Sequence, residues 1–311
     1  MSEAVLGQRL QPAVAAIAVQ ALARGVGGTL PTTSTLQTDL GLGAGTVQRA
    51  LTSLRERGAL LTTSRGQLGR VVDRLDVGAC WRAAGLAPVR MLLPPAGTIE
   101  IEVLAEQLAG SITGMGIAHT VHHQRGGAAR LRSFAAGTDE LVAVSGATWA
   151  SLDPTERAAM GTARLLVPGS YYAPGRLVVV SRTADPRRDG RRRVAIDPES
   201  PDHVAFTEAV FGLPSDDVEF VEVPFTRVPA AVLRGQVDAG VWHVTRSVVP
   251  LDLAGLTTTP VDMPSLSDMW ESSSGAVLVA THRRPELRAV LRSLELDGLV
   301  AAQRRALDHP G

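Results

Sequence analysis

Between Leu30 and Val72 the apolar and polar positions fall into short periodic blocks. Leu36 and Leu40, four apart, share one face of a short helix that Thr32 or Thr33 can cap. Gly41 and Gly43 supply a tight turn. Val47, Ala50, Leu51 and Leu54 then repeat at helical spacing and predict a second helix from about Ala44 to Arg57, stopped by Gly58. Two β-prone pieces, Leu60–Thr63 and Val71–Val72, flank the turn Ser64-Arg65-Gly66-Gln67. Helix, turn, helix and a two-stranded wing, in that order, predict a winged helix-turn-helix and a double-stranded DNA operator as partner. The second helix leaves Thr46, Gln48, Arg49, Thr52 and Ser53 on or near its polar face, where side chains can reach base edges or phosphates. A polar face alone is what any amphipathic helix shows. The complete order of elements is what favours DNA.

Asp73 to Pro88 reads as a linker, after which the pattern becomes strand and helix in alternation. Met91–Leu93, Ala118–His122 and Leu141–Ser145 read as strands, with helices at Ile99–Thr113 and Ala128–Ala136. A second series follows: strand Arg193–Asp197, helix Asp202–Phe211, strand Val218–Pro224, helix Pro229–Arg234 and strand Val237–His243. Such βαβαβ series imply parallel sheets flanked by helices. The two series also share a local pattern. A helix ends at Gly137 and Asp139 precedes the strand LVAVS; another ends at Gly235 and Asp238 precedes AGVWH. Two similar α/β lobes in one chain predict a bilobed body with a cleft between them.

The N-terminal block resembles the GntR-type winged-helix regulators through Leu30-Pro31, Leu36, Gly41, Gly45-Thr46-Val47, Ala50-Leu51 and Gly69 with Val72. Three positions depart from that pattern: Ser34, Ala44 and Gln48 stand where such regulators carry arginines. The resemblance implies DNA contacts from Ser34, Gly45, Thr46, Gln48, Arg49, Thr52, Arg65 and Gly66. The helix–Gly–x–x–Asp–strand units resemble the type II periplasmic-binding-protein fold that LysR-type and other regulators use to sense effectors. Joined to a GntR-like head, the whole chain resembles the YhfZ family of transcriptional regulators. An α/β protein is implied, with a winged helix-turn-helix over residues 1–75, a linker over 76–87 and a binding-protein-like effector domain over 88–311. In that fold lobe one is discontinuous, about 88–180 and 267–311, and lobe two spans about 181–266. Strand Leu177–Ser181 would cross the hinge and Ser267–Val300 would return to lobe one.

Ligands of open α/β sheets sit beyond the carboxyl ends of parallel strands, and helix N-termini there favour anions. The candidate ligand contacts are therefore Gly97, Thr98, Ser145 and Gly146 from lobe one, and Asp197, Ser200, Asp202, His203 and Trp242 from lobe two. Glu199 and His243 lie beside them, and Tyr171-Tyr172 near the hinge could stack on a ligand or pack in the wall. Ser200 and Asp202 are also ordinary helix caps. His119, His122 and His123 are close in sequence, but only His119 and His123 share a strand face and no acidic partner lies near, so no metal is expected.

Composition adjusts this picture little. Formal charge is zero over 311 residues, yet residues 1–75 carry eight arginines against four acids, a basic head on an acidic body. There is no lysine, and the arginines of 182–193 read as a solvated loop. The single cysteine, Cys80, excludes an intrachain disulfide and fits a cytoplasmic protein in which it simply packs. Pro12–Ala23 is apolar but lacks a basic start, so it reads as a helix with Pro12 in its first turn rather than a signal peptide. No run of about 20 apolar residues offers a membrane span. Neither a GxSxG elbow nor a GxxxxGK[ST] loop is present, and no cofactor or catalytic residue is expected. The expected function is a homodimeric, ligand-responsive transcriptional regulator sensing a small, anionic metabolite. Two other readings stay open: an enzyme on the same scaffold with an accessory DNA-binding head, and a DNA-binding structural protein whose body only dimerises.

Overall fold

The computed structural model describes residues 3–182, 190–244, 251–261 and 266–308. Its first block consists of α1 (Glu3–Arg24), β1 (Thr29–Leu30), α2 (Thr33–Leu40), α3 (Ala44–Glu56), β2 (Leu60–Ser64) and β3 (Arg70–Leu75). The strands form an antiparallel sheet in the order β1-β3-β2. Thr32 caps α2 by accepting the Thr35 N–H at 3.1 Å. Leu36 on α2, Val47, Ala50, Leu51 and Leu54 on α3, and Ala13, Val14, Ile17, Ala18, Ala21 and Leu22 on α1 pack into one core. Pro12 is not in the first turn, as the sequence suggested, but well inside the 22-residue α1. It is exposed there, so the backbone rung that proline cannot make lies on the water side.

The stretch expected as a linker folds instead. Asp76 accepts the Ala79 N–H at 2.7 Å and starts α4 (Val77–Ala84), whose Val77, Cys80, Trp81 and Ala83 are buried. The helix packs on α1, and the Arg284 guanidinium lies 5.1 Å over the Trp81 ring. Burial, with Asp76 nearby, pushes the Cys80 thiol up to about 12, as inert packing requires.

The rest of the chain builds two five-stranded sheets on one plan. The first contains β4 (Val89–Leu93), β5 (His119–His123), β6 (Leu141–Ser145), β7 (Gly161–Leu165) and, from far along the chain, β13 (Ala276–Thr281). The second contains β8 (Leu177–Arg182), β9 (Arg192–Ile196), β10 (Val218–Glu222), β11 (Ala239–His243) and β12 (Leu256–Pro260). Their orders are β5-β4-β6-β13-β7 and β10-β9-β11-β8-β12. In each, the first three strands of that order run parallel, the fourth runs antiparallel to them, and the fifth is antiparallel to the fourth. The return segment thus places β13 inside the first sheet, whereas the strand expected to cross the hinge, β8, lies inside the second.

Helices α5 (Ile99–Gly114) and α6 (Gly127–Ala136) link the parallel strands of the first sheet. Short α7 (Gly146–Ala150) and α8 (Pro154–Met160) lead on to β7. Helices α9 (Pro201–Phe211) and α10 (Val228–Leu233) do the linking in the second sheet, and α11 (Ser267–Ser274), α12 (Leu287–Ser293) and α13 (Leu299–Asp308) flank β13 in sequence. Strands β6, β11 and β13 are buried at every position, which explains why they are apolar on both faces rather than alternating.

The repeat seen in the sequence is real in space but shifted by one residue in the first lobe. Gly137 and Gly235, at φ of +89° and +68°, stop α6 and α10 in the left-handed region that glycine tolerates. The residue equivalent to Asp238 is Glu140, not Asp139. Glu140 accepts the Arg90 N–H at 2.8 Å, as Asp238 accepts that of Arg193 at 2.8 Å. Each acid ties the strand it precedes to the first strand of its own lobe. Of the charged loop at 182–193, residues 183–189 lie outside the described residues.

Candidate functional site

A cavity of about 90 Å³ lies between the carboxyl ends of the parallel strands of the two sheets. It has walls from the β4–α5 loop (Pro94, Pro95, Ala96, Thr98), the β5–α6 loop (Arg125, Gly126, Gly127) and Arg130 on α6. Tyr171 and Tyr172, between β7 and β8, close one side. Asp197, Ser200 and Asp202 before and within α9, Phe225 and Thr226, and Trp242 and His243 at the end of β11 supply the rest. This placement follows from the fold: β4, β5 and β9 run into the cleft, turn, and lead to helices that start there. Helices α5, α6 and α9 all begin at the cavity and turn the positive ends of their dipoles to it; the Ala128 N–H of α6 is taken by Glu199 O at 3.2 Å, and α9 opens on Pro201.

The cavity wall is a hydrogen-bonded network. Arg130, 2% exposed, donates to Ala143 O (3.1 Å), Gln124 O (2.9 Å) and the Tyr171 hydroxyl (2.7 Å). The Tyr172 hydroxyl donates to Asp202 Oδ2 at 2.9 Å, and Ser145 Oγ donates to Asp202 Oδ1 at 2.6 Å. Asp202 therefore joins the two sheets from the middle of the cleft. Burial raises its carboxyl above the ordinary value, against the pull of Ser145, Tyr172 and the Arg130 charge. Burial likewise raises the Tyr172 phenol well above its usual range, with the neighbouring Asp202 adding to it.

Asp197 accepts from Arg125 Nη1 (2.9 Å), Phe225 N (2.8 Å) and Glu199 N (3.2 Å), a second bridge across the cleft. His203 Nδ1 accepts the Asp197 N–H at 2.8 Å, so Nε2 carries the proton donated to Val241 O at 2.9 Å. That bonding holds the ring neutral, and burial lowers its basicity in the same direction. Deeper still, His243 Nε2 and Glu100 Oε1 are 3.1 Å apart.

A family model, the YhfZ C-terminal domain, matches residues 76–309. The chain belongs to that family. The chain is also 25% identical over 286 residues to YhfZ of Escherichia coli K12, covering 90% of this chain and 89% of that one. The crystal structure of YhfZ from Shigella flexneri superposes with a TM-score of 0.54 at 24% identity, covering 76% of this chain and 96% of that one. The alkanesulfonate-binding protein SsuA of Xanthomonas axonopodis pv. citri, solved with MOPS, gives 0.48 at 17% identity, over 72% of this chain and 80% of that one. The shared fold is α/β.

Within this YhfZ-family body, Thr98, Asp197, Ser200, Asp202 and Trp242, singled out at strand ends and helix starts, line the cavity together with Tyr171 from near the expected hinge. Gly97 stands next to Thr98 outside the lining. Three other candidates lie outside the lining. Ser145 is fully buried, capping α7 through the Thr148 N–H and donating to Asp202. At Gly146 a Cβ would run into the Ser272 carbonyl, so close packing accounts for the glycine. His203 lies behind the wall, its two nitrogens taken by backbone. Ser200, which could have been an ordinary cap, makes no side-chain cap bond and is part of the cavity lining. Asp202 is spent on Ser145 and Tyr172 rather than on capping. His122 does have an acidic partner, Asp139 at 2.8 Å, while His123 Nδ1 meets Pro94 O at 2.6 Å.

Arg125, Arg130, Glu100 and the Pro94–Ala96 loop escaped the sequence reading. A signal existed for two of them. Arg130 sits on the apolar stripe Gly127, Leu131, Phe134 of α6, and Glu100 lies four before Leu104 on that of α5. A charge on a core stripe is rare and needs a partner.

In the first block, Ser34, Gly45, Gln48, Arg49, Arg65 and Gly66 are exposed and Thr52 is half-buried. Thr46 is 8% exposed and cannot serve as a contact; four residues before Ala50, it falls on the packed side of α3. Arg49 Nε rests on Gly45 O at 3.3 Å, and Arg55 and Arg57 are exposed near the end of the same helix. Among the described residues, no helix is long and apolar enough to cross a membrane and no cluster of His, Cys, Asp and Glu could hold a metal ion.

Proposed function

We propose that this YhfZ-family protein is a ligand-responsive DNA-binding regulator, with residues 1–75 as a winged helix and the bilobed body as its sensor. The observation that carries the sensor reading is the cavity at which three helix N-termini and residues of both sheets converge. The helix N-termini there, with the Arg125 and Arg130 charges in the wall, favour a small anion. The head reading rests on α2, a tight turn, α3 and the β2–β3 hairpin in that order, with Gln48, Arg49 and Arg65 exposed. Two heads in a homodimer would match a near-palindromic operator, and a DNA partner sets the site of action in the cytoplasm.

Ligand would favour the closed arrangement bridged by Arg125–Asp197 and Ser145–Asp202, and closure would alter the placement of the heads. A coupling of about 1–3 kcal/mol gives a several-fold or greater change in DNA affinity. The test is a thermal-shift screen of the full chain against carboxylates, phosphates, sugars and amines, followed by fluorescence anisotropy on duplex DNA selected from a random pool. A stabilising anion that also changes DNA affinity is expected. A panel in which no compound shifts the melt, or a chain that selects no duplex, refutes the corresponding half.

A further inference from the structure

One wall of the cavity carries a pair of ionisable groups more deeply buried than any surface ion pair. His243 and Glu100 have side chains 1% and 0% exposed, with Nε2 and Oε1 3.1 Å apart. Glu100 Oε1 also accepts the Ala173 N–H at 2.9 Å. Although burial pushes this carboxyl up, the hydrogen bond and charge of His243 and the Ala173 N–H bring it below its ordinary value. The second imidazole nitrogen, Nδ1, has no hydrogen-bond partner among the described residues, and His243 lines the cavity. Thr98 Oγ1, at the start of α5 and also in the lining, is buried without a partner too. Buried polar atoms are nearly always paired, so two unpaired ones on residues of one cavity point to an occupant that pairs with both.

The charges around His243 decide the kind of occupant. Glu100 on α5 takes the Nε2 proton. The Tyr172 ring stands 5.3 Å from the imidazole, with its hydroxyl turned to Asp202. Asp197 and Asp202 spend their oxygens on Arg125, Phe225 N, Ser145 and Tyr172. His203 on α9 binds Val241 O and is held neutral, and Arg176 donates to Val244 O just past the strand. What faces the cavity beside them is positive or a donor: the start of α5 at Thr98, the Arg130 charge, and His243. With Nε2 set against the Glu100 carboxyl, Nδ1 is the nitrogen left for a ligand, and a proton shared between Nδ1 and an oxyanion makes a charge-assisted hydrogen bond.

We propose that the cleft grips its ligand by a compact oxyanion group (carboxylate, phosphate or sulfonate) that accepts from His243 Nδ1–H and the Thr98 hydroxyl at the start of α5. Glu100 is a positioning residue that holds the ring through Nε2, and at alkaline pH the oxyanion binds together with one proton, carried by Nδ1. This rests on the ligand-sensing reading above.

The experiment is isothermal titration of the full chain with sodium sulfate, whose charge is constant between about pH 5.5 and 8.5, in buffers of different ionisation enthalpy. Expected are uptake of about one proton at the alkaline end and an affinity falling about tenfold per pH unit above the histidine titration. His243→Asn sets an amide N–H near the place of Nδ1 and is expected to bind sulfate without pH dependence. Thr98→Val is expected to weaken binding and keep the pH dependence. Binding by the native chain that ignores pH, or a His243→Asn profile identical to the native one, overturns the assignment. If sulfate does not bind while a sugar or amine of the thermal-shift panel does, the oxyanion anchor is wrong and the sensor reading stands. If no compound binds at all, both fall.

Discussion

Replacing Arg130 by methionine tests whether the network around the cleft holds the body together. The guanidinium makes three hydrogen bonds, to Ala143 O, Gln124 O and the Tyr171 hydroxyl, at 3.1, 2.9 and 2.7 Å, while only 2% exposed. Bonds from a charged donor contribute about 1.5–3 kcal/mol each, which puts the gross loss at roughly 5–9 kcal/mol. Removing a buried charge and adding apolar contact offset part of that, by about 1–4 kcal/mol. The difference spans about 1–8 kcal/mol, and its middle portion is about 3–5 kcal/mol. For a domain of this size each kcal/mol moves the melting midpoint by about 2–4 °C, so Arg130→Met is expected to melt roughly 6–20 °C lower. Arg130→Lys keeps the charge but cannot span the three acceptors, and its midpoint is expected between the two. The assay is differential scanning calorimetry of the full chains at one pH and salt concentration. A methionine variant within about 2 °C of the native midpoint would mean that Arg130 is dispensable to the fold, and the account of the cleft wall would fail.

Further expectations follow from single residues. Cys80, with its thiol pushed up to about 12, is expected to resist a thiol-reactive dye at pH 8 in the folded chain and to label fully in urea; rapid labelling of the native protein contradicts its burial. Asp202 holds its proton more tightly when folded than when unfolded, so it contributes stability at acid pH that is lost as pH rises through its folded value. Asp202→Asn, which can still bond Ser145 and Tyr172, is expected to flatten that fall when melting is followed from about pH 4 to 8; a parallel decline in both chains points to another group. Arg65→Ala is expected to weaken binding to a selected duplex and to reduce the slope of log affinity against log salt by about 0.9, as loss of one phosphate contact requires. Thr46→Val, changed at a buried position, is expected to leave DNA affinity intact, whereas Arg49→Ala lowers it severalfold; the reverse order in anisotropy would relocate the contact face.

Much of this molecule was legible in the order of its residues because the determining signals are local. Leu36, Val47, Ala50 and Leu54 mark helix faces, Gly137 and Gly235 end helices, and LVAVS and AGVWH are apolar at every position because both faces of their strands are covered. The α/β fold, the repeated lobe plan and five of the cleft-lining residues follow from such signals together with the rule that ligands sit past parallel strand ends. Helix α4 had its local signal too, in the Asp76 cap and the buried run from Val77, but the preceding strand was read as ending too soon.

What only the tertiary structure decided is which polar residues are spent on one another. Ser145 and Asp202 are 57 positions apart, Glu100 and His243 are 143 apart, and no periodicity in either segment refers to the other. The sequence placed Ser145, Asp202, Tyr171 and His203 near a cleft. Folding decided that Ser145 and His203 lie behind its wall, that Arg130 holds Tyr171, and that the unpartnered nitrogen of His243 is left to the cavity. Burial makes unpaired polar atoms costly, so the partners found across the lobes determine which groups remain for a ligand. That pairing is set by the closed three-dimensional packing and is written nowhere in local order.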